Sequence, residues 1–382
     1  MFILNLNNKR LIKSCKPLLS KLYSEYRKRY LDLFFYEKDL QFNKLDLSPL
    51  IKTGILKKTG AKIRARVQVF PLSGKFICTD FNYSRHRKIG NIYKTLKNGV
   101  WGILPEESPL IAKTAIVKKG DFVLDLATGS GIIAIFCADK AKRVVATDIN
   151  PRAIKFAKFN AILNNAENKI EFRVGNLFNP VKGLKFDLII WNGPTVAVPN
   201  TPQKYPIYSF GGMDGAAFTK RFINVAFTYL KSKGRLQWYD CAVGDKHSPV
   251  SIQYLQQKWS HKKIKIIFNS LTKNPVLLKK TFQVYIKWNL ERSSFKTPLA
   301  FKLVTKNEDQ YWRDWLEKKR YKYFYYSIVR VYPDDKFNLE MNFPKNDIRK
   351  DRYLMRYWLW MSYPTLLKRL SICQKYSIKD LK

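Results

Sequence analysis

Between Gly120 and Tyr239 the chain repeats one pattern, in which a short apolar run gives way to a polar turn and then, in most repeats, to ten or more residues at helical spacing. Phe122–Leu126, Arg143–Thr147, Ile170–Val174, Phe186–Trp191 and Arg235–Tyr239 read as buried strands, and Gly131–Lys140, Pro151–Leu163 and Phe218–Leu230 as helices. Strands that alternate with helices of this length predict βαβ units and a parallel sheet covered on both faces. The predicted core is therefore α/β and doubly wound.

The pattern differs on either side of that core. Residues 8 to 40 carry Leu11, Leu18, Leu19, Leu22, Tyr26, Tyr30 and Leu33 at near-helical spacing, which predicts one helix. From Ala61 to Phe81 the period drops to two: Ile63, Ala65, Val67 and Val69 alternate with Lys62, Arg64, Arg66 and Gln68, and Pro71 to Gly74 turn the chain into Lys75–Thr79. This predicts a hairpin with one basic face, which a solvated sheet surface explains more readily than a docking surface. After about Lys296 aromatic and basic residues interleave, among them Tyr311, Trp312, Trp315, Tyr321, Tyr323, Phe324, Tyr325, Tyr326, Tyr353, Tyr357, Trp358 and Trp360. Such a mixture suits a stacking platform for nucleic acid, but so many unburied rings would invite aggregation, so core packing is the preferred reading.

Charge changes the picture at the flanks. The 382 residues include 71 Lys+Arg against 29 Asp+Glu, a formal net charge of +42, yet 46% hydrophobic and 15% aromatic residues exclude an intrinsically disordered chain. Residues 121 to 200 hold ten Lys/Arg and seven Asp/Glu, so the excess sits almost entirely outside the core. A basic excess favours a polyanionic partner such as RNA, although a Lys-rich compositional drift would also produce one. Cys15, Cys78, Cys137, Cys241 and Cys373 are far apart, and only three histidines occur (His86, His247 and His261), which argues against a metal site or a disulfide framework and for a reducing, cytoplasmic setting. No apolar run is long enough for a membrane span. The acid-free first 24 residues weakly resemble an organelle transit peptide and equally suit a basic amphipathic helix.

The chemistry concentrates at the strand ends. Asp125-Leu126-Ala127-Thr128-Gly129-Ser130-Gly131 joins the first core strand to the first helix, with glycines that turn the backbone tightly and allow a ligand to approach it. Gly129-x-Gly131-x-x-Ala134 also satisfies the dinucleotide fingerprint, so context decides. Asp125 is badly placed for a pyrophosphate and well placed for an ammonium, while Asp148, at the end of the second strand, is placed to accept ribose hydroxyls. Asn176, after the third strand, suits an adenine amino edge. The fourth strand ends in Trp191-Asn192-Gly193-Pro194-Thr195, at the crevice where open α/β sheets bind ligands.

Together these blocks resemble the class I S-adenosylmethionine-dependent methyltransferases, most closely the branch of release-factor glutamine methyltransferases and small-domain ribosomal RNA methyltransferases. Thr147-Asp148-Ile149-Asn150-Pro151-Arg152-Ala153 matches the branch's second motif, and Gly175-Asn176-Leu177-Phe178 its third. Leu104-Pro105-Glu106-Glu107-Ser108 and Gly211-Gly212-Met213-Asp214-Gly215 resemble flanking blocks. The resemblance implies S-adenosyl-L-methionine as cofactor and no metal. Asp125, Gly129 and Gly131 would then hold the methionine part, Asp148 the ribose and Asn176 the adenine, with Ala127, Ile149, Leu177 and Asn192 completing the cofactor site. It also implies that Asn192 and Pro194 form the catalytic loop, in which the amide oxygen and the following carbonyl hold the N–H groups of a planar nitrogen acceptor.

Two departures stand out: Gly193 is expected to loosen that loop, and Thr195 replaces an aromatic wall, leaving Trp191, Tyr205 and Tyr208 as other candidates for stacking. The resulting division is an N-terminal helical and hairpin module (1–99), a methyltransferase domain (100–295) and an aromatic, basic extension (296–382). The expected activity is N-methylation of a polar macromolecule, either a protein glutamine or RNA, with the basic flanks docking RNA or a ribosome-associated substrate. A small-molecule N- or O-methyltransferase, suggested by the altered loop, and a non-catalytic RNA-binding protein on the same scaffold are the alternatives. Cys137 is expected in the core and the histidines on the surface.

Overall fold

The computed structural model describes residues 4–81, 88–89, 92–93, 98–101, 103, 107–197, 207–208, 210–278, 310–348 and 363–377. By packing, the chain divides into two units. One comprises residues 1–86, 99–180 and 356–376, the other residues 87–98, 181–355 and 377–382.

In the first unit the single helix expected over residues 8–40 is two, α1 (Lys9–Glu25) and α2 (Arg27–Phe34), separated at Tyr26, whose φ of −120° and ψ of 39° are not helical. The burial pattern supplies the reason. Ile12, Cys15, Leu19 and Leu22 form one narrow buried stripe on α1, whereas Tyr30, Leu31, Leu33 and Phe34 are all buried, a spread that one continuous stripe would not cover. Asn8 caps α1, its side chain accepting from the Leu11 N–H.

The expected hairpin is likewise two. Strands β1 (Leu56–Thr59) and β2 (Lys62–Ala65) pair antiparallel, with Leu56 opposite Ala65. A bend at Arg66 and Val67 separates them from β3 (Gln68–Leu72) and β4 (Lys75–Thr79), which turn at Ser73 and Gly74. The basic alternation ends at that bend, because β3 and nearly all of β4 are buried on both faces.

The parallel core of this unit follows the predicted order: β5 (Phe122–Leu126), helix α3 (Ile132–Cys137), β6 (Arg143–Asp148), helix α4 (Pro151–Leu163) and β7 (Ile170–Val174). β6 lies between β5 and β7, parallel to both. The helices after β5 and β6 make these strands βαβ units. The fold is the expected Rossmann-like α/β class.

In the second unit β8 (Phe186–Trp191) runs parallel to β9 (Leu230–Gly244), aligning Trp191 with Trp238. β9 is much longer than the five residues expected because β11 (Tyr323–Pro333), part of the aromatic tail, pairs antiparallel with it from Leu236 to Gly244. β11 also pairs with β10 (Ile264–Ser270), and β10 with β12 (Asn338–Asn342). Phe324, Tyr325, Tyr326 and Trp312 are buried, so these rings of the tail are core, while Tyr311 remains exposed. Tyr353, Tyr357, Trp358 and Trp360 lie outside the described residues. Helix α5 (Ala217–Val225) is shorter than expected, its last turn tightening to a 3₁₀ segment, Ala226–Tyr229, before β9 begins. With α6 (Val250–Trp259) it contributes to a run of contacting rings, Trp191, Phe222, Trp238 and Trp259, with successive centroids 5.8, 5.7 and 6.4 Å apart.

Candidate active site

At the end of β5, Asp125 is fully buried, and its Oδ2 accepts from Thr128 Oγ1 at 2.5 Å and from the Ala134 N–H at 3.0 Å. The carboxylate thus braces both the loop and the first turn of α3. Ala127, Gly129 and Gly131 adopt left-handed φ values of 61°, 55° and 82°. The loop is sewn to β6 by the Thr128 N–H, which donates to the Thr147 carbonyl at 2.8 Å. Gly131 is required twice over: its φ is left-handed, and a Cβ there would lie 2.9 Å from the Ala157 Cβ of α4. At Gly129 a Cβ would meet nothing within 4 Å, so that side of the loop is open.

Asp148, half-buried at the end of β6, accepts from the Gly129 N–H through Oδ2 and from the Asn150 N–H through Oδ1, each at 2.9 Å. Asn150 in turn caps α4 by accepting from the Arg152 N–H at 3.0 Å. Ile149 and Val174 are 48% and 50% exposed, which leaves apolar surface at the ends of β6 and β7. Asn176 is exposed beside them, and Leu177 has a φ of 45°.

Burial pushes the Asp125 carboxyl up to about 7, against its two hydrogen bonds and with a further rise from the Asp148 charge. Burial raises Asp148 as well, opposed by N–H donors from Asn150, Gly129 and Ile149. Two neighbouring acids held above their usual range, one of them with a buried oxygen (Asp125 Oδ1) that has no partner among the described residues, form a site that a cation would satisfy. S-adenosylmethionine, which supplies an electrophilic methyl group on a sulfonium, fits these residues. Asp125 would answer its ammonium and Asp148 its ribose hydroxyls, with the open face at Gly129 for its approach and the apolar ends of β6 and β7 for its flat base.

In the second unit, β8 is followed by Asn192, Gly193 and Pro194, all half-buried. Gly193 does not loosen this turn. Its backbone lies directly on the Trp191 indole, where a Cβ would come within 2.1 Å of the ring, so only glycine fits. Trp191 is correspondingly core, stacked on Phe222 at an interplanar angle of 12°, and offers no face to a substrate. Thr195 is buried and the main chain beyond it is clamped: the Gly211 N–H donates to the Val196 carbonyl at 2.8 Å, and a Cβ on Gly215 would lie 2.8 Å from the Thr195 carbonyl oxygen. The Trp312 indole N–H then donates to the Met213 carbonyl at 2.8 Å, so the tail holds the glycine-rich block in place. Tyr208 is half-buried, while Tyr205, His86 and the Leu104–Glu106 block lie outside the described residues.

Cys137, His247 and His261 fall where expected. All five cysteines are buried and unpaired with one another, Cys137 among them, and His247 and His261 are exposed. Among the described residues there is no His/Cys/Asp/Glu cluster that could hold a metal ion, and no helix is long and apolar enough to cross a membrane.

Two residues of the first unit escaped the sequence reading as partners. Asp80, just after β4, forms a buried two-pronged ion pair with Arg152 at the start of α4, with Nη2 2.6 Å from Oδ1, and also accepts from the Val100 N–H at 2.7 Å. One signal was available, since Asp80 is the sole acid between Asp46 and Glu106 and follows an apolar strand.

Comparison with known proteins assigns this architecture. The family described as "Methyltransferase small domain" matches residues 104–267. A provisionally named protein N5-glutamine methyltransferase of Methanocaldococcus jannaschii is 41% identical over 136 residues, covering 35% of this chain and 68% of its own. The release factor glutamine methyltransferase of Aquifex aeolicus is 29% identical over 236 residues, covering 57% and 80%. Among solved structures, M. jannaschii TYW2 in complex with AdoMet matches over 71% of this chain and 90% of its own, at 15% identity and a TM-score of 0.38. On the sequence match to the first of these relatives, together with the family match, the chain belongs to the class I S-adenosylmethionine-dependent methyltransferases of the methyltransferase small-domain type.

Proposed function

We propose that this methyltransferase acts on the nitrogen of a planar amide, foremost a glutamine side chain of a protein. The observation that carries the proposal is the Asn192-Gly193-Pro194 turn, pinned from below by Trp191 and followed by main chain held through Gly211 and Gly215. An amide nitrogen is a poor nucleophile because its lone pair is delocalised into the carbonyl. Accepting its two N–H groups on the Asn192 side-chain oxygen and a neighbouring carbonyl fixes the nitrogen and raises electron density on it, and the remaining requirement is in-line placement. As the new C–N bond forms, the methyl–sulfur bond would break, leaving the sulfur as a neutral thioether, and the surplus proton on the nitrogen would pass to solvent. Asp125, Gly129 and Asp148 hold the cofactor in this reading, with Ala127, Gly131, Ile149, Asn176 and Leu177 shaping its groove. The names of the M. jannaschii and A. aeolicus relatives support glutamine as acceptor. The basic surface of the chain favours RNA as the second reading.

Methyl-labelled S-adenosylmethionine, added with the full chain to a lysate that is then split into protein, RNA and small molecules, tests both readings. Label in protein, recovered as N5-methylglutamine, is expected, and Asn192→Ala should lower the rate by about a hundredfold or more while the affinity for S-adenosylhomocysteine holds. Label in RNA selects the second reading, and label confined to small molecules overturns both.

A further inference from the structure

From Leu47 to Thr79 the sequence contains seven Lys/Arg and no Asp or Glu. The fold does not disperse these charges. In the β1–β2 ribbon, Leu56, Ile63 and Ala65 turn inward and are buried, so the opposite face carries Lys57, Thr59, Lys62 and Arg64, with Arg66 just beyond. Lys57, Lys62 and Arg66 are exposed, as is Lys58 near the tip. Lys57 stands directly opposite Arg64 in the register, a like-charge pair that weakens a two-stranded ribbon. Asp39 holds Arg64 through two hydrogen bonds of 2.6 Å, and the Glu37 charge also acts on that guanidinium. Alongside, Leu40 bridges to Ile63, and Arg29, whose guanidinium lies 5.1 Å from the centre of the Phe42 ring, donates to the Gln41 carbonyl.

We infer that the outer face of the β1–β2 ribbon, with Lys57, Lys62 and Arg66 as its contacts, docks the phosphate backbone of RNA. Alternate residues on a strand recur about every 6.6 Å, which spaces Lys62 and Arg64 along β2, with Arg66 at the bend beyond its end and Lys57 across from Arg64. A protein surface would be met by apolar anchors at the centre of the contact, and Lys57, Thr59, Lys62 and Arg64 supply none. Compositional drift toward lysine does not explain the absence of acids over the same 33 positions, nor the like-charge pair. The inference goes beyond the acceptor chemistry, because an RNA and a protein carried on RNA would both present this backbone.

The test compares the full chain with a Lys57→Gln/Lys62→Gln/Arg66→Gln variant, using a fluorescent mixed-sequence single-stranded RNA and reading anisotropy over a salt series. Affinity near 0.1 M salt is expected to fall by about tenfold or more, and the slope of log affinity against log salt to shrink by about two, since each contact on a single strand contributes about 0.7. Lys118→Gln/Lys119→Gln/Lys142→Gln removes equal charge elsewhere in the same unit and should change affinity by less than about twofold. Equal losses in the two triples, or none in the first, overturn the inference. So does polyglutamate that competes with the RNA at equal concentration of charge. S-adenosylhomocysteine affinity, measured on the same preparations, should be unchanged in both variants. If the unmodified chain fails to bind it, the cofactor reading is lost while the ribbon is still judged by the RNA data. Should the first triple not fold, Lys57→Gln/Lys62→Gln carries the same comparison with a slope change of about 1.4.

Discussion

Asp80 and Arg152 place an arginine at the first turn of α4, the positive end of a helix, and bury it. Both features are unfavourable for a cation, and the carboxylate offsets them. The pair is worth retaining where it stands, because Arg152 lies two residues beyond Asn150, whose N–H is bonded to Asp148. It therefore ties the end of β4 and the Val100 segment to the turn that presents Asp148. Asp80→Asn should destabilise the fold by about 3–5 kcal/mol, since it leaves a buried guanidinium without its counter-charge, and should weaken S-adenosylhomocysteine binding in the molecules that remain folded. Replacing both members, Asp80→Leu with Arg152→Met, should cost less than the single change, as buried pairs often do when removed together. Urea unfolding and calorimetric titration of the three variants check this, and a double variant that is less stable than Asp80→Asn would refute it.

At the scale of elements, α4 does more than close a βαβ unit. Asn160 and Asn164, one turn apart on its buried face, bond both ways to the main chain of β4. Asn160 accepts from the Cys78 N–H and donates to the Cys78 carbonyl at 2.8 and 2.9 Å, and Asn164 does the same for Phe76 at 3.0 and 2.8 Å. Two amide side chains at helical spacing thus stand in for a neighbouring strand and satisfy alternate residues of an edge that would otherwise be buried with unpaired groups. Asn160→Ala strips a buried N–H and two carbonyls, those of Cys78 and Ser130, of their partner, and should cost at least about 1–3 kcal/mol. It should also speed hydrogen exchange at Cys78 more than at residues on the far side of α4. Uniform exchange along β4 would mean that the strand is held by packing alone.

This pairing also marks where legibility ended. The period-two pattern of residues 63–69 and the helical pattern of 151–163 were each readable, but nothing in either specifies that asparagines on one cap the other, and the fully buried faces of β3 and β4 follow from that contact. Asp125, Asp148 and the left-handed loop between them were legible because their chemistry is local to strand ends. The constraint on Gly193 is illegible for the converse reason: it comes from a ring two residues back that stacks on Phe222, a contact across 31 residues. The break at Tyr26 and the length of β9 belong to the same class, each set by what the segment packs or pairs against.

Taken over the whole chain, +42 is a charge that folding has to tolerate. Only 29 acids are available against 71 bases, and several are spent inside: Asp125 and Asp80 are buried, and Asp148 is bonded to main chain. Surface pairs such as Lys13–Glu167 and Lys75–Asp139, at 2.6 and 2.9 Å, neutralise single sites and contribute little each. Net self-repulsion is therefore a standing penalty on the compact state. Raising sodium chloride from about 0.01 to 0.1 M shortens the screening length from about 30 to about 10 Å, and the thermal midpoint of the full chain should rise steadily over that range. RNA affinity should fall over the same range, so the fold and its docking face are expected to respond to salt with opposite sign. The Lys57/Lys62/Arg66 triple to glutamine should have a higher midpoint than the parent at the low end and approach it at the high end, because the charges it removes crowd one basic ribbon, where Lys57 stands directly opposite Arg64. A midpoint that is flat or falls with salt would mean that the charge is locally balanced after all, and that the basic flanks carry no stored repulsion for a polyanion to relieve.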